Sequence, residues 1–151
     1  MRLNFALLAF LAIVPASAFS QTLDHDLSCA ETAHDFVADL VGTQSIEVTP
    51  MRVEPNSVNA FRPTKNNPLT AFGLRVHAVF GYQPGDPLFK AGGNETPSGP
   101  VYGVVVLGSA DAVKRRLTDA GSSAVVHPVI PMVLTAIVCE QQPAAESTSN
   151  R

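Results

Sequence analysis

Apolar positions change their period several times along this chain, and each change marks a predicted element. From Ala30 onward they recur at helical spacing: Ala30, Ala33, Val37, Leu40 and Val41 form one stripe, with Phe36 at its border. Ser28 and Glu31 are spaced as in a capping box. The helix is therefore predicted to begin at Ser28 and run to about Val41, with Gly42 as a left-handed stop. Glu31, Asp35 and Asp39 share its outer face. Residues 46–53 alternate until Pro50, which cannot donate to a ladder, and read as an edge or bulged strand. A turn-rich connection over 54–68 holds at most one short strand, at 58–61.

The clearest strand is predicted over residues 70–82. Phe72, Leu74, Val76, Ala78, Phe80 and Tyr82 point one way, and Arg75 and His77 point the other. Residues 101–107 are almost continuously apolar, which predicts a central strand covered on both faces. Gly108-Ser109 then leads into a helix over 110–120, with Ser109 as N-cap, Gly121 as stop, and Ala110, Val113, Leu117 and Ala120 as its stripe. A last strand is predicted over 133–139. The proline-containing stretch 122–132 before it allows either a crossover or an antiparallel return. The fold class is α+β: a single small domain with a mixed or antiparallel sheet of about four strands and two helices on one face.

Composition narrows the class further. The 151 residues are 46% apolar and 15% charged, which excludes a disordered, collagen-like or coiled-coil chain and favours one self-sufficient core. Thirteen acidic residues outnumber ten Lys and Arg, so a strongly basic nucleic-acid-binding protein is excluded too. Six of those acids, and no Lys or Arg, fall within residues 19–51.

The amino terminus reads as an address. Arg2, an apolar run over 5–14, and Pro15-Ala16-Ser17-Ala18 match an export signal over residues 1–18. That run of about ten residues is too short to span a bilayer. The stretch 125–139 is likewise too short and is broken by Pro128 and Pro131. A periplasmic or secreted domain over 19–139 is expected, followed by a disordered polar tail over 140–151. Only Cys29 and Cys139 are present. In an oxidising compartment the pair reads as one disulfide from the first helix to the last strand, since a redox or metal pair normally shows close spacing.

Candidate chemistry is sparse. His25, His34, His77 and His127 show no ligand spacing, and neither a metal nor a cofactor is expected. Ser109 sits on a strand-to-helix turn but lacks the second glycine of a nucleophile elbow. It reads as a cap, and the alternative is a hydrolase using Ser109 with His77 or His127. The long connection over 83–100 carries Pro84, Gly85, Pro87, Gly92, Gly93, Pro97, Gly99 and Pro100. Loops of this length in small domains are usually functional or disordered. Leu88 and Phe89 stand out in it as apolar residues that either pack back into the core or anchor a binding surface, and Asn94-Glu95-Thr96 has the form of a glycosylation acceptor, relevant only in a eukaryotic source.

Ser98-Gly99-Pro100-Val101-Tyr102 ends the loop, and resembles the S-G-x-x-Y element of the periplasmic inhibitors of C-type lysozyme. The resemblance implies a loop that enters an enzyme's active-site cleft. That family is an all-β barrel, so the two helices read here imply a different fold. The leading expectation is an exported, non-enzymatic binding module, of inhibitor or immunity type, that engages a partner protein through Leu88, Phe89, Asn94, Ser98, Gly99 and Tyr102. A third reading is a homo-oligomeric envelope subunit joined through the edge at Pro50 or the acidic helix face.

Overall fold

The computed structural model describes residues 20–141; the export signal expected over 1–18 lies outside the described residues, as does the tail expected over 140–151 apart from Glu140, which ends a strand, and Gln141. Two helices lie against a mixed sheet of eight strands, more than the four or so expected. The added strands are mostly fragments of two or three residues, too short to show a period in sequence.

The chain begins with β1 (Gln21–Thr22), then a 3-10 turn at Asp26–Ser28. The capping box predicted at Ser28 and Glu31 does not form. Cys29 takes a φ of 66°, and a helix cannot run through a left-handed residue. α1 (Ala33–Gly42) instead starts one turn later, where the Thr32 hydroxyl accepts from the Asp35 amide at 3.0 Å. At its other end Gly42 stays helical. The exit is made by Thr43, whose amide and hydroxyl both donate to the Asp39 carbonyl, and the positive φ falls at Gln44.

The strand expected over 46–53 shrinks to an isolated bridge between Ile46 and Pro63 and to β2 (Arg52–Val53), which pairs with β3 (Asn59–Phe61). The long strand expected over 70–82 is two strands. β4 (Leu69–Ala71) and β5 (Leu74–Tyr82) are joined by a two-residue turn in which Phe72 and Gly73 both have positive φ, 50° and 74°. Phe72 tolerates that conformation because its amide donates to Asp24 and its carbonyl accepts from Arg116 Nη1 at 2.8 Å. A bulge between Val76 and Ala78 then reverses the alternation. Val79 and Gly81 therefore share a face with Phe61 and Tyr102, while Phe80 and Tyr82 turn to the opposite face, against the simple period-two reading.

β6 (Val101–Leu107) and α2 (Ala110–Ala120) lie where the pattern placed them, with Ser109 as N-cap and Gly121 left-handed at φ 68°. β7 (Val125–Ile130) and β8 (Leu134–Glu140) form the antiparallel return. β7 was read as connection because its prolines hid the strand. The order across the sheet is β1-β4-β5-β6-β8-β7, with β3 and β2 branching from β5; β1 pairs in parallel with β4 and every other pair is antiparallel. Phe36, Val37 and Leu40 of α1 and Val113 and Leu117 of α2 bury against Tyr102, Val104, Val106 and Ile137 in one core. Each such side chain contributes on the order of 1.5–3 kcal/mol. The Cys29–Cys139 disulfide ties the 3-10 turn to β8.

Candidate functional site

Connection 83–100 folds back onto the domain. Asp86 organises its first half: one carboxylate oxygen lies 2.6 Å from His34 Nδ1 on α1, and the other accepts from the Leu88 amide at 2.8 Å. Gln83 accepts from the His34 amide, which fastens the same stretch to the first turn of α1. Phe89 lies over Gly81, where a Cβ would stand 2.9 Å from Val37 and 3.0 Å from the Phe89 ring, so only glycine permits the approach. The second half is held by Asn59, whose side chain bonds both the amide and the carbonyl of Lys90, and by the Ser57 hydroxyl on the Gly92 amide.

The six residues predicted to contact a partner are therefore divided. Tyr102 is completely buried: its ring lies 4.7 Å from that of Phe36 and its hydroxyl donates to the Asp26 carbonyl at 3.1 Å. Phe89 and Gly99 are buried and Leu88 is half-buried against the core. Asn94 and Ser98 alone are exposed. The apolar anchors of the loop are packing for α1 and β5, not a contact patch. The tyrosine that carried the resemblance to lysozyme inhibitors is likewise internal.

A different surface is apolar and uncovered. Both helices pack on one face of the sheet, contrary to the expectation that β6 is covered twice. The opposite face carries Phe80, Val105, Leu107, Leu134, Ile130 and Val125, neighbours through the pairings of β5, β6, β8 and β7. Leu107, Val125 and Ile130 are 43%, 45% and 48% exposed, and beside them Met132 at the β7–β8 turn is 82% exposed. Exposed apolar patches of this kind mark contact surfaces. The signal for it was the run 125–134, dense in Val and Ile beyond what one buried strand needs.

No protein-family model, curated protein or solved structure matches this chain. Its functional reading rests on its own surfaces.

His25, Asp26 and Glu31 place potential ligand atoms within 4.8 Å of one another beside α1. Burial, then the neighbouring carboxylates, pushes Glu31 above the usual carboxylate range; burial also raises Asp26, partly offset by His25. In sequence His25 and Asp26 are adjacent, but Glu31 reads as a capping residue, and only the turn at Cys29 brings its carboxylate beside them. Ser109 accepts from the Ala112 amide at 3.4 Å, the bond of an N-cap. His127 is exposed on β7 and His77 on β5, and neither bonds to Ser109 among the described residues.

Proposed function

We propose that this chain is a non-enzymatic binding module of an exported, oxidising compartment, and that it works through the open face of its sheet. The disulfide is compatible with that compartment, as is the lack, among the described residues, of any helix long and apolar enough to cross a membrane. One observation carries the reading: the sheet has a second apolar face that no helix covers.

The occupant is a second copy. Four long strands at about 4.8 Å spacing, each about 23 Å long, give a face of some 19 by 23 Å. Two such faces together bury on the order of 1,000 Å², the lower bound for a specific pair. Charge selects the orientation. Arg75 and His77 stand at one end of the face and Glu140, paired with Val101, at the other. Copies stacked with strands reversed set the acid of each near Arg75 of the other.

Light scattering over a range of concentrations tests this. Wild type is expected to be a dimer, and Val125→Glu with Ile130→Glu a folded monomer. A wild type that stays monomeric throughout overturns the reading.

A second reading keeps the loop. Its base is clamped at Asp86 and Asn59 while Asn94 and Ser98 remain exposed, so its apex is presented with little ordering left to lose. An undiminished C-type lysozyme activity in molar excess of this protein ends that inhibitor reading.

A further inference from the structure

β5 shares one edge between two short neighbours. β4 pairs with it at Leu74 and Arg75, and β3 pairs with it from Val79 to Gly81. No strand covers that edge over residues 76–78, where the bulge sits. The split leaves a cleft of about 540 Å³. Small-molecule sites commonly measure roughly 300–1,000 Å³.

The lining of this cleft is one-sided. Arg62, Lys65, Arg75 and His77 all face it, with no carboxylate among the lining residues, in a chain whose net charge is −3. The ion pairs among the described residues belong to His25, His34 and Arg52, so none of these four groups has a carboxylate partner within 4.0 Å. Clustering like charges without a counter-ion costs free energy that an anion recovers. The remaining wall is apolar, with Met51 and Leu107 exposed on it and Val76 and Leu69 beneath. Bulges are over-represented beside sites because they re-aim a side chain, and this one turns His77 outward.

We propose that this cleft binds a small amphiphilic anion: a phosphate or carboxylate group held by Arg62, Lys65, Arg75 and His77, with an apolar body against Met51 and Leu107. The site is separate from the loop, but Arg75, His77 and Leu107 also border the stacked face, so a bound anion and a second copy compete for that edge. Arg62 and Lys65 lie on connection 62–68 outside the stacked face, so changing them leaves that association intact.

Calorimetric titration at low salt tests the proposal with four probes. They are monomeric dihexanoyl phosphatidic acid, inorganic phosphate, dihexanoyl phosphatidylcholine, and vesicles of phosphatidylglycerol. Phosphatidic acid is expected to bind roughly tenfold or more tighter than inorganic phosphate or the zwitterionic lipid. The double variant Arg62→Glu, Lys65→Glu is expected to lose roughly tenfold or more in that affinity. The control Lys114→Glu, Arg115→Glu, on the exposed side of α2, is expected to keep it. Sedimentation with vesicles assigns the anion to a lipid surface, and binding of the monomeric lipid without sedimentation assigns it to a dissolved ligand; both uphold the site. No binding of phosphatidic acid, equal binding of the zwitterionic lipid, or equal loss in the control variant overturns it.

Discussion

The buried side-chain amide of Asn59 donates to the Lys90 carbonyl and accepts from the Lys90 amide, each at 2.9 Å. One side chain thus makes both hydrogen bonds that a neighbouring strand would make, and it fixes the middle of connection 83–100 to β3. Asn59 also donates to the Ser57 carbonyl and is fully buried. Asn59→Ala leaves these groups without partners and is expected to cost about 2 kcal/mol. Hydrogen exchange should quicken at Lys90 and Gly92 before the rest of the domain. Unchanged protection there would show that the loop is held by other contacts.

The Cys29–Cys139 bridge closes 110 residues of sequence. Loop-closure entropy for a segment of that size corresponds to about 4.7 kcal/mol of stabilisation. Urea unfolding of the Cys29→Ser, Cys139→Ser variant should show a large fall in midpoint. A loss well under about 2 kcal/mol would mean that the unfolded chain is already compact.

Ser109 is accounted for by its cap. Ser109→Ala is expected to lower stability by about 1 kcal/mol in thermal or urea unfolding. A nucleophile would behave otherwise. Any esterase or peptidase turnover of the wild type that this variant abolishes would restore the hydrolase reading.

Burial raises the carboxyls of both Asp26 and Glu31, and the charges of Asp26 and Asp39 raise Glu31 further. For an acid with a raised folded pKa, the favourable contribution is present below its unfolded value and is lost as pH rises through the folded one. The pair therefore weakens the fold at neutral pH. Glu31→Gln should raise Tm at pH 7, and the gain should shrink as pH falls through the carboxylate range and both acids protonate. A gain that does not change with pH would locate its cause elsewhere.

Much of this fold was legible where the signals are local. α2 lies within the predicted bounds because Ser109, the Val113–Leu117 stripe and Gly121 each act within one or two turns. The bounds of β6 were likewise legible from its apolar run. The start of α1 was misplaced because the left-handed conformation of Cys29 ends the turn that Ser28 closes, and Thr32 then caps. The break at Phe72-Gly73 was hidden by an apolar Phe in a turn position, held there by Asp24 and Arg116 from distant segments.

The candidate site divides the same way. Pattern and composition were enough for the two helices on one face, the disulfide pair and an ordinary cap role for Ser109, since each depends on neighbours in sequence or on counting. Which apolar residues of the loop turn inward was decided by Gly81, Val37 and the Asn59 clamp. The open sheet face and the cationic cleft were decided by the bulge after Val76 and by β3 and β4 sharing one edge of β5. Strand pairing and bulge position join residues far apart in the chain, and a one-residue shift exchanges the two faces of a strand. That exchange leaves no trace in local periodicity, so only the assembled sheet settles which side chains meet solvent.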